Sequence, residues 1–233
     1  IQQVTYGTSK ISSYQGSNAE TVINTWVNNN LSSYTSYLED IIWCSDVSSR
    51  NPKYLSSLYD SVNHIAYSGV QKFNRHINDE VPRPTFNCPE GESSLVNTTT
   101  TKNHVNYNET NSGYDKTEVT TGLKSKVGML TTDEMLFAGA SIGYSKNNVK
   151  VNIGNQKFYL YSSAVASYPY YTMTPAAYSS NTPYVYGFYN GNLSLTAANS
   201  SSAGIRPALA LKSTAKISGG NGTASNPYVI SGV

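Results

Sequence analysis

The sequence predicts an α+β chain with small antiparallel sheets, two or more helices and long loops, preceded by a helical N-terminal half. Three observations predict it. Ser17-Asn18-Ala19-Glu20 and Thr131-Thr132-Asp133-Glu134 each set a hydroxyl three residues before a Glu, the signature of a capping box. After the first, Val22, Ile23, Trp26, Val27 and Leu31 recur at helical spacing and form one apolar stripe. From Val149 onward, short runs rich in Val, Tyr, Phe and Leu are separated by Gly, Asn and Pro, as in a small antiparallel sheet with long loops.

The elements follow in order. The first helix is expected to weaken at Asn28-Asn29-Asn30, because Asn is a poor helix former. Tyr34, Tyr37, Leu38, Ile41 and Ile42 then repeat the helical spacing up to Trp43-Cys44. Arg50-Asn51-Pro52 breaks the pattern, and Tyr54–Tyr67 reads as another short helix with Leu55, Leu58, Val62 and Ile65 on one side. Val81-Pro82-Arg83-Pro84 is extended, since a residue before Pro is pushed away from helix. Glu90 to Gly122 is polar and almost without aliphatics, and reads as a hairpin or a mobile loop. The helix begun at Thr131 carries Met135-Leu136-Phe137-Ala138, with Gly139 as its C-cap. Candidate strands are Val149–Ile153, Phe158–Ser162, Tyr170–Met173, Tyr184–Tyr189, Leu193–Leu195 and Ala208–Leu211. Tyr189-Asn190-Gly191-Asn192 is the strongest turn signal, because Asn-Gly supports positive φ. Gly219-Gly220-Asn221-Gly222 turns the chain into a closing strand, Pro227-Tyr228-Val229-Ile230. The organisation is a helical portion over 1–90, a polar excursion over 91–122 and a core over 123–233, in one continuous globular unit.

Composition narrows the function. In 233 residues, 38% are hydrophobic and only 13% charged, while 20 are Tyr. A disordered chain carries more charge and fewer aromatics. Asn, Ser, Thr and Tyr replace the charge, which suits a rigid hydrogen-bonding surface. A formal net charge of +2 with no Lys/Arg run offers no electrostatic track for nucleic acid and no polybasic membrane patch. No apolar run approaches the ~18–20 residues that span a bilayer. A chain that opens at Ile1 and not Met reads as mature or trimmed, so any signal peptide or anchor is expected upstream. Cys44 and Cys88 match no zinc spacing. Their even count favours a disulfide formed in an oxidising compartment, over two separate buried thiols.

No catalytic or metal motif stands out. His64, His76 and His104 lie in separate polar segments, without the spacing of a metal site. There is no nucleophile elbow, no phosphate-binding Gly-Lys-Ser/Thr loop and no calcium loop of the EF-hand type. Asp133-Glu134 sits in a helix first turn, where acids complement the dipole. No catalytic residue, metal ligand or cofactor is expected.

Four segments occur in a characteristic order: Gly128-Met129-Leu130-Thr131-Thr132-Asp133-Glu134, Tyr171-Thr172-Met173-Thr174-Pro175, Gly204-Ile205-Arg206-Pro207-Ala208-Leu209, and Gly219-Gly220-Asn221-Gly222-Thr223 with Asn226-Pro227-Tyr228. The chain resembles exported bacterial proteins with a C-type-lectin-like core related to the formylglycine-generating enzyme fold. Variable proteins of diversity-generating retroelements use that core, and some relatives carry a prepilin-type anchor. The resemblance covers most of the chain, Glu90–Gly122 least. It implies a C-type-lectin-like fold over 123–233, displayed outside the cell or on its surface. Tyr170-Tyr171 stands where the family pattern has an aromatic–Trp pair, so Tyr171 either fills the same core slot or belongs to a variable surface. The Glu-Pro-Asn, Gln-Pro-Asp and Trp-Asn-Asp motifs of calcium-dependent lectins are missing, so calcium-mediated sugar binding is not implied. The oxidase relatives need two cysteines late in the fold, and Cys44 and Cys88 precede it.

The resemblance implies a binding face between about Tyr168 and Arg206. Its candidate ligand-contacting residues are Tyr170, Tyr178, Asn181, Tyr184, Tyr186, Tyr189, Asn190, Asn192, Asn199 and Ser201. Antibody paratopes favour the same types: Tyr gives broad amphipathic contact at low entropy cost, and Ser, Gly and Asn give adaptable hydrogen bonds. Adenine mutagenesis of Asn codons readily produces them. The bland alternative is that Tyr184, Tyr186 and Phe188, at period two, are strand residues of a half-buried sheet. Arg206 either ties the loops down or contacts ligand. The expected function is a ligand-binding receptor or adhesin whose partner is a protein or glycan on another cell or phage. The rival is a pilin-like structural subunit of an extracellular appendage.

Overall fold

The computed structural model describes residues 3–7, 14–45, 88, 95–99, 103–108, 113–118, 122–138, 140–142, 145–146, 149–150, 168–179, 182–189, 192–201, 203–223 and 225–231. The helix expected at Tyr54–Tyr67, the extended Val81–Pro84 segment, the strand Phe158–Ser162 and Gly139 lie outside them.

Helix α1 spans Asn18–Asn30. Ser17 caps it, its hydroxyl accepting the Glu20 N–H at 3.1 Å. The reciprocal half of the expected box is different. Buried Glu20 takes the Gly16 N–H on one carboxylate oxygen at 2.7 Å and the Lys124 N–H on the other at 2.9 Å. One carboxylate thus closes the helix start and clamps a segment from the second half of the chain. The helix ends at the Asn run, as the propensities require. Ala19, Ile23 and Val27 form its buried row, with Val22 and Leu31 half-buried beside it. Trp26, expected in the stripe, is instead 41% exposed.

The helical spacing beyond residue 31 does not continue as α-helix. Ser32–Tyr37 is a 3-10 turn, and the chain then extends. Leu38 pairs with Leu211, and the Glu39 N–H and Tyr37 carbonyl bond Ala210 and Lys212. Tyr37 and Leu38, two residues of the apparent second helical stripe, are thus backbone partners of a distant segment. Within the described residues the expected second helical stretch is therefore a 3-10 turn followed by extended chain, and residues 46–87 of the expected helical portion lie outside them.

Strand β1 is Gln3–Val4, β2 Trp43–Cys44, β3 Leu95–Val96, β4 Asn103–Asn108 and β5 Gly113–Glu118. Strands β2 and β3 pair antiparallel, and Cys44 is disulfide-bonded to Cys88. Strands β4 and β5 form an antiparallel hairpin, Asn108 opposite Gly113, within the polar excursion. Helix α2, Thr132–Phe137, has the full capping box: Thr131 accepts the Glu134 N–H at 3.2 Å, and Glu134 accepts the Thr131 N–H at 2.7 Å.

Strands β6 (Ser141–Ile142), β7 (Ser145–Lys146), β8 (Val149–Lys150), β9 (Tyr170–Ser179), β10 (Thr182–Tyr189), β11 (Asn192–Ala197) and β12 (Ala203–Gly204) follow. A six-stranded mixed sheet has the order β1-β12-β9-β10-β11-β6. Strands β13 (Lys216–Gly219) and β14 (Val229–Ser231) make a separate ribbon. Tyr189 pairs with Asn192 on either side of the expected Asn190-Gly191 turn.

Strand β9 is irregular against β10. Tyr171 faces Gly187 but Pro175 faces Val185, so residues 172–174 bulge. The threonines of this segment replace the missing ladder bonds. The Thr172 hydroxyl donates to the Tyr186 carbonyl at 2.8 Å, and the Met173 N–H goes to the Leu130 carbonyl at 2.8 Å. The Thr174 hydroxyl accepts the Thr132 N–H at 3.0 Å. The bulge is the socket for the start of α2.

Two cores flank the sheet. Tyr171, Met173 and Val185 share one with Tyr6, Ile23, Leu38, Trp43, Val127 and Met129. Tyr170, Phe188 and Leu193 share the other with Met135 and Ala140. Gly128 pairs with Ala208 under Trp43, and a Cβ there would meet the indole at 2.8 Å.

Candidate ligand-binding face

The regular register of β10 with β11 assigns a side to each residue. Phe188 and Leu193 point into the α2 core, and Tyr186, Leu195, Tyr184 and Ala197 share that side. Val185 points into the larger core, and Gly187, Tyr189, Asn192, Ser194 and Thr196 hold register positions on its side. Both sides of β10 are covered over Val185–Phe188, which explains why alternation gave no clean inside and outside there.

Strand β11 lies beyond β10, and β12 lies beyond β9, so the link between β11 and β12, described over residues 198–201, crosses both strands. The crossing is on the Tyr171 side. The buried Tyr171 hydroxyl faces the Ala197 carbonyl at 2.9 Å and the Ser200 carbonyl at 2.8 Å. Ala198 is buried, donates its N–H to the Pro183 carbonyl at 2.8 Å, and accepts the Tyr6 and Gly7 N–H groups at 2.8 and 3.1 Å. A loop fixed at so many points is rigid, yet Asn199 and Ser201 on it face solvent. Gly187 lies below Thr196, whose side chain a Cβ at 187 would strike.

The sequence-derived candidates therefore separate. Tyr189, 41% exposed, and exposed Ser194 hold register positions on one side, while exposed Asn199 and Ser201 lie on the crossover, which starts beside Pro183 at the other end of β10. Asn192 holds a position on the same side. Tyr184 is half-buried on the opposite side, with Leu195. Tyr170 and Tyr186 are buried, at 2% and 0% exposure, and pack inside instead of presenting a surface. Tyr178 pairs with Pro183 at the far end of β10, six residues or roughly 20 Å along the strand from Tyr189. Asn181 and Asn190 lie outside the described residues. Tyr171 fills a core slot, stacking edge-on against Tyr6 at 5.4 Å between ring centroids.

Arg206 acts from below. Its guanidinium carbon sits 4.6 Å from the centroid of the Tyr170 ring, a cation–π contact with a buried aromatic. Burial pushes the Tyr170 phenol up to about 12, with the Arg206 charge offsetting part of the shift. Burial alone pushes Tyr171 up to about 12. Both stay protonated at neutral pH, so Tyr171 can donate to the crossover.

Ser194 and Thr196 were missed from the sequence because they sit in a strand of ordinary appearance. One signal was available. Between Lys157 and Arg206 there is no charged residue at all. Among the described residues no group of three or more His, Cys, Asp or Glu is gathered, and no helix is long and apolar enough to cross a membrane. No protein-family model, curated protein or solved structure matches the chain.

Proposed function

We propose that this chain is a non-catalytic ligand-binding protein, secreted or displayed on a cell surface, with a C-type-lectin-like core. It acts as a receptor or adhesin. The observation that carries the reading is a set of exposed hydrogen-bonding residues on ordered backbone: Tyr189 and Ser194 on the β10–β11 hairpin, and Asn199 and Ser201 on a crossover held by the Tyr171 hydroxyl and by both backbone groups of Ala198. Pre-organised backbone lowers the entropy lost on binding, and Tyr, Ser and Asn supply contact without charge. The Cys44–Cys88 disulfide supports an oxidising compartment. The order of the four sequence motifs resembles that of exported bacterial proteins, and this resemblance supports the lectin-like core and through it a diversified face.

Sequencing the encoding locus across a natural population of source cells tests this. Substitutions should gather at exposed Tyr168, Tyr189, Ser194, Asn199 and Ser201, at adenine positions, and spare buried Tyr170, Tyr171, Met173, Tyr186 and Phe188. A uniform locus removes diversification and leaves a receptor of fixed specificity.

A further inference from the structure

We infer that the open backbone edge at residues 209–211 takes up an extended, acid-ended segment of a partner protein as an added β-strand. This is independent of the ligand-binding reading. Segment 208–212 runs beside Gly128 and residues 37–39. The Ala208 N–H and carbonyl both bond Gly128, at 2.9 and 3.0 Å. The Ala210 carbonyl accepts the Glu39 N–H at 3.0 Å, and the Lys212 N–H goes to the Tyr37 carbonyl at 2.9 Å. Residues 208, 210 and 212 thus turn their peptide groups to the paired side. In an extended chain the alternate residues turn theirs the opposite way. Among the described residues, no backbone group meets those of Leu209 and Leu211. Both residues are exposed, at 40% and 42%. An unpaired edge is a template for another strand, and a charge or a Pro within it is the usual guard. Here the central positions are Leu, and Pro207, which has no N–H, sets where pairing stops.

Charge selects the partner. The sequence holds no Asp or Glu after Glu134, while Arg206 and Lys212 bracket the edge, six residues or roughly 20 Å apart. Glu39 stands opposite Ala210, on the paired side. A strand laid along 206–212 therefore meets a cation at each end and leucines between. Opposite charges across a ladder stabilise it and like charges destabilise it. Acids at both ends with apolar residues between complement this edge in either strand direction. A second copy pairing edge to edge, antiparallel and centred on Leu209, would set Arg206 against the other copy's Lys212, like against like.

The test uses the full chain, isotope-labelled, and a blocked heptapeptide with Glu at both ends and alternating Thr and Val between, beside the same peptide with Lys at both ends. The acid-ended peptide should shift the Leu209 and Leu211 amide signals and slow their hydrogen exchange by about tenfold or more. It should bind about fivefold or more tighter than the Lys-ended peptide. The gap should narrow in 1 M NaCl. Lys212→Glu should narrow it too. Leu209→Pro removes one outward N–H and should abolish binding with the melting curve kept. If that variant does not fold, the peptide carries the same test: at least one of its two forms N-methylated at alternate residues should lose binding. Equal binding of the two peptides overturns the acidic partner. Binding that both N-methylated forms keep, or that leaves the Leu209 and Leu211 amides unmoved, overturns strand addition. Self-association lost in Leu209→Pro makes the occupant a second copy and overturns the inference. So does an absence of binding by either peptide, which leaves an edge closed by Pro207.

Discussion

Tyr171 carries one hydroxyl proton toward two carbonyls, and that shared hydrogen bond joins the sheet to the crossover. Tyr171→Phe leaves the ring in its slot and removes the donor. Stability should fall by about 1–3 kcal/mol in denaturant titration, the cost of unsatisfied buried polar groups. Amide exchange at Ala198 and Ser200 should quicken. The pH dependence has a definite sign. An unfolded tyrosine titrates near pH ~10, whereas Tyr170 and Tyr171 are pushed up to about 12 in the fold. The unfolded chain therefore loses these protons first. The stability they contribute is fully present below about pH 10 and lost as the pH rises through about 12. A melting series from pH 8 to 12 should be flat at first and then fall, less steeply for Tyr171→Phe. Glu20 offers a second test. Glu20→Ala leaves the N–H groups of Gly16 and Lys124 without their carboxylate and should cost about 2–3 kcal/mol.

Elements show where the sequence was readable. Both helix starts were legible because capping is local: a hydroxyl and a Glu three residues apart suffice. The β10–β11 hairpin was legible from its Asn-Gly turn. Residues 37–39 were not, because their partner is segment 210–212, and helical spacing cannot reveal a partner so distant in sequence. Tyr186 read as a surface tyrosine because period two gives an alternation and not the cover on each side. The hairpin carries a prediction of its own. Gly187→Ala should destabilise by about 1–3 kcal/mol, since the new methyl strikes Thr196. Adding Thr196→Ala in the same chain should recover most of the loss. Equal and additive losses would contradict the cross-strand packing.

At the scale of the whole molecule, the larger core gathers residues from Tyr6 to Ile205, so the N-terminal portion and the sheet stabilise each other. The Cys44–Cys88 bond, with a sequence separation of 44, adds a covalent tie beside β2. Chain-entropy reasoning gives it about 4 kcal/mol. Cys44→Ser with Cys88→Ser should lower stability by about that much, whereas an unchanged midpoint would show the tie to be dispensable. Of the proposed face, the residue types and the span could be read from the sequence, but not which of its tyrosines are buried. The β10–β11 register separates Tyr189 and Ser194 from Tyr184 and Leu195, and the crossover from β11 to β12 carries Asn199 and Ser201. The most direct measurement is binding of the labelled chain to whole cells from its source habitat, comparing Tyr189→Ala/Asn199→Ala with Tyr184→Ala/Leu195→Ala. Loss of binding in the first pair alone, with both pairs folded, is the predicted result. Loss in the second pair alone would contradict the face assigned here.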